Sequence, residues 1–363
     1  MSAATQSELE QQLKNFVLPQ TARPLGGAGS AFAVHTTAQG FKVEIRCGFP
    51  LEHSRRELEE RLRAHCAEVA TAQLEFDIDW KIETHNVQQG LKPLDGVSNL
   101  IAVASGKGGV GKSTVASNLA LALVLEGARV GMLDADIYGP SQPRILGLLG
   151  QRPETTDGKT LEPLQAHGLK TMSIGFLVDD QQPVAWRGPM VTSALNQLLT
   201  QTHWGELDYL IIDMPPGTGD IQLTLVQRVP VSGAVIVTTP QEIALADARK
   251  GLEMFQKVNV PVLGIVENMS VHTCSNCGHE ESIFGTDGGA QLSRGYGLPL
   301  LGVLPLVGDI GEHSDSGHPS VVVEPEGALA ARFFAVAGRA AGELAASAKD
   351  YSRLFPKITI EEG

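Results

Sequence analysis

Gly106-Lys107-Gly108-Gly109-Val110-Gly111-Lys112-Ser113-Thr114 lies between an apolar run, Asn99 to Ala104, and a second segment, Val115 to Glu126. The run reads as a buried strand and the segment as a helix. Glycines let a backbone turn its N–H groups toward a phosphate with no Cβ in the way, and the helix behind adds its positive N-terminal end. Lys112 is placed to reach the β- and γ-phosphates of ATP, and the Ser113 hydroxyl to hold Mg2+. The stretch fits the phosphate-loop pattern G-x-x-x-x-G-K-[ST] in the strand–loop–helix context that the pattern requires. Lys107 is additional to the pattern.

Outward from the loop, apolar strands alternate with helices from Val97 onward. The strands are expected at Leu100–Ala104, Arg129–Leu133, Thr171–Leu177, Tyr209–Ile212, Ala234–Thr238, Val262–Val266 and Leu300–Leu304. They are continuously apolar, as parallel strands covered on both faces should be. Helices are expected at Val115–Glu126, Met190–Thr200, Ile243–Val258 and Gly289–Tyr296, with Gly127 as C-terminal cap of the first, and a last one over Glu326–Ala346. The fold class is α/β: a doubly wound, mostly parallel sheet of the P-loop NTPase type over residues 97–348, with its ligand at the carboxyl ends of the strands.

Two such strand ends are acidic. Leu133-Asp134-Ala135-Asp136 closes one, and Asp213-Met214-Pro215-Pro216-Gly217-Thr218-Gly219-Asp220 follows another. Beside a phosphate loop, Asp213 is placed to hold Mg2+ through its water shell. Asp136 is the choice for positioning the attacking water, with Asp134 as its competitor. Pro215 to Gly219 forms a loop able to approach the γ-phosphate and respond to its loss.

Ahead of this unit the pattern differs. Ser7–Val17 and Arg55–Ala70 carry apolar residues at helical spacing, Phe41–Arg46 and Leu74–Ile82 alternate like half-buried strands, and Pro19–Ser30 reads as loose. Residues 1–85 are therefore expected to form a small α+β domain, 86–96 a linker and 349–363 a tail.

Whole-chain composition narrows the function. The 363 residues carry a net charge of −13, which argues against a nonspecific nucleic-acid binder. The first residues have neither a basic region nor an apolar core, so no signal peptide is expected, and no apolar run approaches the length of a membrane span. The tail is not a basic amphipathic anchor. A cytoplasmic location follows, and there four cysteines are not expected to be a disulfide framework. Cys47 and Cys66 stand alone and read as ordinary buried thiols.

Cys274 and Cys277 form a C-x-x-C pair within His272-Thr273-Cys274-Ser275-Asn276-Cys277-Gly278-His279. A tetrahedral zinc site or an iron–sulfur cluster needs about four ligands. Either His272 or His279 completes a zinc site, or two chains each give Cys274 and Cys277 to one shared cluster; a redox or inert pair is the third option. The shared cluster is the simpler route if the chain is a two-fold dimer, because symmetry duplicates every ligand.

The early Lys107 resembles that of the deviant phosphate-loop ATPases, a class that includes the cell-division and plasmid-partition ATPases and the nitrogenase iron protein. The resemblance implies that Lys107 crosses a dimer interface to the partner's nucleotide. More narrowly, Trp186-Arg187-Gly188-Pro189-Met190, Asp213 to Asp220, Thr238-Thr239-Pro240-Gln241, Val266-Glu267-Asn268-Met269-Ser270, Cys274-x-x-Cys277-Gly278 and Gly302-Val303-Leu304-Pro305-Leu306 resemble the signatures of the Mrp-type, ApbC-like ATPases. What that implies is an ATP-hydrolysing iron–sulfur cluster carrier: a homodimer that holds a labile 4Fe–4S cluster between its subunits and passes it to apo-proteins, in company with cluster-assembly factors. Asn268 and Pro305–Asp309 would then contact the adenine. The N-terminal unit is similar to the small MIP18-like domain often fused ahead of such ATPases, although Gln20 to Gly29 lacks its usual acidic entry motif. A partition-type ATPase acting on DNA or a membrane fits less well, given the C-x-x-C, the acidic balance and the absence of a basic terminal helix. A nitrogenase-type reductase has cluster cysteines far apart in sequence. A zinc-stabilised nucleotide switch remains as the metal-based alternative.

Overall fold

The computed structural model describes residues 6–69, 73–155, 157–177, 188–274 and 276–350. The N-terminal unit runs α1 (Gln6–Lys14), β1 (Ser30–Thr36), β2 (Gly40–Cys47), α2 (Arg55–Cys66) and β3 (Gln73–Trp80). Its sheet has the order β1-β2-β3, antiparallel then parallel. Phe41, Val43, Ile45 and Cys47 of β2 all point inward, and Leu58, Leu62 and Cys66 of α2 are buried. β1 is an edge strand on which only Val34 is buried, so the alternation that reveals a strand is nearly absent from its sequence.

The larger unit begins with β4 (Val97–Ala104), α3 (Lys112–Leu125), β5 (Val130–Asp134), α4 (Gln142–Ile145), β6 (Leu164–Ala166), β7 (Leu169–Ser173), α5 (Gly188–Thr200) and β8 (Leu207–Asp213). It continues with α6 (Asp220–Arg228), β9 (Gly233–Thr238), α7 (Glu242–Lys257), β10 (Val262–Glu267), the two-residue strands β11 (His272–Thr273) and β12 (Glu280–Glu281), and α8 (Gly288–Tyr296). β13 (Leu300–Val303), α9 (Gly308–Asp315), α10 (Ser320–Val323) and α11 (Ala328–Ala345) complete it.

The main sheet has the order β13-β10-β9-β4-β8-β5-β7-β6. Seven strands are parallel and correspond to the seven apolar runs, while β6 adds an antiparallel edge. β4 sits between β8 and β9, and chain crossovers leave in opposite directions on either side of it. That reversal opens a crevice at the carboxyl ends of the strands. One strand end differs from expectation: the run to Leu177 leaves the sheet after Ser173, whose hydroxyl accepts the Gly175 N–H at 3.1 Å and starts a single 3-10 turn, Ile174–Phe176. Ile174 and Phe176 stay buried, so hydrophobicity alone could not mark the end.

α3, the helix behind the phosphate loop, is apolar on all sides and packs between the sheet and α11. It ends as expected at Gly127, whose φ of 95° is open to glycine at no steric cost. The Gly127 N–H donates to the Val124 carbonyl at 2.9 Å and the Ala128 N–H to that of Leu123 at 3.0 Å, a Schellman closure.

The same helix end carries the N-terminal unit. The buried Glu126 carboxylate accepts both the Ser54 N–H and the Ser54 hydroxyl. Arg23 makes a bidentate pair with Glu343, and the His53 ring stacks on Phe334 at 4.0 Å. Residues 86–96, expected as a linker, are tied down at buried Gln88: its amide donates to the Val226 carbonyl at 2.8 Å and accepts the Val231 N–H at 2.9 Å. Among the described residues no helix is long and apolar enough to cross a membrane.

Candidate functional site

The phosphate loop leaves β4 at Ser105 and enters α3 at Lys112. Gly111 caps the helix at a φ of 79°, and a Cβ there would lie 2.3 Å from the Asn268 amide nitrogen. A Cβ at Gly106 would lie 2.1 Å from the Asp247 carbonyl carbon on α7. The loop is thus clamped from two sides by backbone and side chain that leave no room for a larger residue. Asn268, which the resemblance placed on the adenine, donates from its amide nitrogen to the Val110 carbonyl at 2.9 Å. It also borders a cavity of about 470 Å³ next to the loop, lined by Gly111, Thr114, Met269, Pro305 and Phe333 among others. Asn268 and Pro305 therefore meet the loop at one concave surface.

Strand register assembles the acids. Asp134 of β5 stands directly opposite Asp213 of β8, which in turn is level with Val103 of β4. Lys112 reaches back from the loop so that its Nζ pairs with Asp213 Oδ1 and lies 3.2 Å from the Ser113 hydroxyl. Lys112 is 6% exposed and Asp213 fully buried. Contact between two buried opposite charges offsets much of the cost of burying either alone. The other Asp213 oxygen, Oδ2, accepts from the Gln142 side-chain amide at 2.8 Å. Nothing in the sequence reading singled out Gln142, because an amide in a polar loop carries no pattern of its own.

Asp134 and Asp136 are separated by their surroundings. Asp134 accepts the Asp136 N–H, the Gln142 N–H and the Ser173 hydroxyl, each at 3.1 Å, and is fully buried. Burial, then the neighbouring Asp213 charge, pushes its carboxyl up. It ties the end of β5 to the next loop and, being fully buried, presents no surface to the crevice. Asp136 is half-buried and accepts from the backbone of Tyr138 and Gly139, and burial raises its carboxyl also, against the opposing pull of Lys112. Such a carboxylate is a better proton acceptor than an exposed one.

The loop after Asp213 closes the same wall. The Gly217 N–H donates to the Ser105 carbonyl at 3.0 Å, and the Gln222 amide donates to the Pro216 carbonyl. The Lys107 carbonyl accepts from the Ser105 hydroxyl at 2.9 Å, but among the described residues its ammonium has no hydrogen bond or ion pair and is half-exposed.

Cys274 and Cys277 occupy the turn between β11 and β12. The Gly278 N–H donates to the Cys274 carbonyl and the Cys274 N–H to that of His279, both at 2.9 Å. Cys277 is exposed and Cys274 half-buried. The amides of Asn276 and Cys277, then the Cys277 thiol, lower the Cys274 thiol and favour its thiolate. His272 Nδ1 lies 3.1 Å from the Leu306 carbonyl, and the Leu306 N–H donates to the Val271 carbonyl at 2.8 Å. The base of the cysteine hairpin is thereby bonded to the segment that lines the cavity beside the loop. Among the described residues no third His, Cys, Asp or Glu joins the two cysteines in a metal-binding set. Burial pushes the thiols of Cys47 and Cys66 up to about 12 and about 11, which leaves them poor ligands.

A protein-family model described as "ParA: NUBPL iron-transfer P-loop NTPase" matches residues 96–341. The chain belongs to this family. An iron-sulfur cluster carrier protein of Pseudomonas fragi is 59% identical to this chain over 263 residues, 72% of this chain and 91% of that protein. Another, of Haemophilus influenzae, is 46% identical over 345 residues, 95% of this chain and 93% of that one. A solved nucleotide-binding protein of Archaeoglobus fulgidus in complex with ADP superposes with a TM-score of 0.57 at 40% identity, covering 66% of this chain and 93% of that chain.

In this chain the crevice brings together Gly106 to Thr114, Asp136 and Asp213, with Asn268 and Pro305 at its side. The cysteine pair is a separate, exposed feature joined to it through Leu306. Of the Trp186-Arg187 signature, both residues lie outside the described ones.

Proposed function

We propose that the protein is an ATP-hydrolysing carrier that holds a 4Fe–4S cluster between two copies of the chain and delivers it to apo iron–sulfur proteins. The observation that carries this reading is the cysteine hairpin: two adjacent thiols, one lowered toward thiolate, in an exposed turn hydrogen-bonded to the nucleotide cavity's wall. Two thiolates are half of what a cluster needs, and a two-fold axis supplies the rest. An exposed turn also lets a recipient's thiolates reach the cluster. The names of the relatives and the family model support the same cargo.

ATP is the substrate of the crevice. Lys112 leaves Asp213 for the β- and γ-phosphates, while the loop's N–H groups and the start of α3 surround the β-phosphate. The oxygen-only donor set of Ser113 and Asp213 suits Mg2+, which would supply charge neutralisation at the phosphates. Asp136 orients a water and takes its proton as the water oxygen bonds the γ-phosphorus and ADP leaves. Lys107, uncommitted among the described residues, reaches the partner's phosphates across the dimer. The Leu306 contact passes the state of the nucleotide to the cysteine hairpin.

Anaerobic purification followed by metal and sulfide analysis tests this. About four irons and four sulfides per dimer are expected. Zinc at one ion per chain without iron would replace the cluster carrier with a zinc-stabilised switch. The trans role of Lys107 has its own check. Lys107→Ala is expected to bind ATP and not hydrolyse it, and Asp136→Ala likewise. In an equal mixture half the dimers are mixed and each has one complete site, so about a quarter of wild-type turnover should return. No recovery in exchanged dimers would place Lys107 on its own nucleotide or on none.

A further inference from the structure

We propose that Gln142 is a positioning residue for Asp213: it pins one carboxylate oxygen so that the other is presented to the metal ion when nucleotide arrives. The inference rests on the nucleotide half of the reading above and is independent of the cluster.

Gln142 is fully buried at the start of α4. Its Nε2 donates to Asp213 Oδ2 at 2.8 Å and to the Ser113 carbonyl at 3.1 Å. Its Oε1 lies 2.7 Å from the Ser117 hydroxyl, and its backbone N–H donates to Asp134 Oδ2 at 3.1 Å. Every polar group of the residue is therefore engaged, which fixes a buried side chain in one orientation. Both partners of Nε2 are acceptors, so reversing the amide would lose both of those contacts, whereas the Ser117 hydroxyl can donate or accept and fits either orientation.

The two oxygens of Asp213 consequently have different holders. Oδ1 is held by Lys112, which the phosphates draw away. Oδ2 is held by Gln142, whose anchors are the Ser113 carbonyl and Ser117 hydroxyl on α3 and the Asp134 carboxylate, none of them the Lys112 ammonium. When Lys112 departs, Oδ1 becomes free while the carboxylate is kept from rotating. Mg2+ demands near-ideal octahedral geometry, so a carboxylate that can swing costs affinity for the ion. Gln142 also ends the segment that begins at Asp136, and so sets the spacing between the ion-binding acid and the water-positioning acid.

The test is Gln142→Met, which keeps the length and drops the amide. ADP binding is measured in EDTA and with Mg2+, and Mn2+ binding to the ADP complex by electron paramagnetic resonance. Wild-type protein that binds no ADP would remove the nucleotide reading itself. With that reading intact, ADP affinity of the variant in EDTA should stay within about twofold, while Mn2+ and Mg2+ half-saturation rise about tenfold, the scale of lost outer-shell support. Saturating Mg2+ should return most of the turnover. Unchanged ion dependence would overturn the proposal, as would parallel loss of metal-free and metal-dependent binding. If Gln142→Met does not fold, Gln142→Asn is read by the same criteria; failure of both to fold makes Gln142 a structural residue and overturns the proposal.

Discussion

Lys112→Ala is expected to lower ATP turnover by on the order of a thousandfold, as loss of a preorganised charge on the transferring phosphoryl does. Phosphate release measures it. The structure adds an effect on stability that the loop motif does not suggest. Asp213 is fully buried, and Lys112 is the cation it faces. Removing one partner of a buried pair costs about 3–5 kcal/mol, because the remaining charge is left without compensation. The nucleotide-free variant should therefore unfold at markedly lower urea concentration than wild type. Lys112→Ala combined with Asp213→Asn should recover much of that stability and none of the turnover. A single variant with wild-type hydrolysis would remove the phosphate-loop assignment. One with a wild-type urea midpoint would show that Lys112 does not compensate Asp213 in the nucleotide-free chain.

Cys274→Ala and Cys277→Ala are each expected to abolish the brown absorbance that wild-type protein gains on anaerobic reconstitution with iron and sulfide. A symmetric seam loses two of its four thiolates with each substitution, so partial retention is not expected. Cys47→Ala and Cys66→Ala should leave the absorbance unchanged, because both thiols are buried and their ionisation is suppressed. Both cysteine-hairpin variants should hydrolyse ATP, since neither side chain lies in the crevice. Absorbance that survives in Cys274→Ala would move the cluster elsewhere; loss of hydrolysis with it would show that the hairpin supports the cavity wall through Leu306.

Much of the architecture was legible because it is written in short-range patterns. Seven continuous apolar runs mark parallel strands, and all seven lie in the main sheet. The edge strand β1, the end of β7 and the helix α9, with glycines at positions 308 and 311, were not legible. In each, tertiary burial or a local cap overrides a weak or misleading local pattern. His272 shows the same limit at the site: the fold sets its Nδ1 3.1 Å from the Leu306 carbonyl, 34 positions away, a contact that no local spacing marks.

By itself the sequence determined the α/β class, the phosphate loop, the acids at strand ends and the pair of cysteines two ligands short of a site. These are properties of residue types within about ten positions of one another, where backbone periodicity and turn chemistry act. Tertiary structure alone decided how differently the two neighbouring acids are buried. Asp134 and Asp136 are two positions apart in the chain, yet the first is fully buried under three hydrogen bonds and the second is half-buried, held by the backbone of Tyr138 and Gly139. It also decided what holds Asp213, through contacts 101 and 71 positions away in sequence. Those contacts exist because parallel pairing puts β8 between β4 and β5 in a register that brings Asp213 level with Val103 and Asp134.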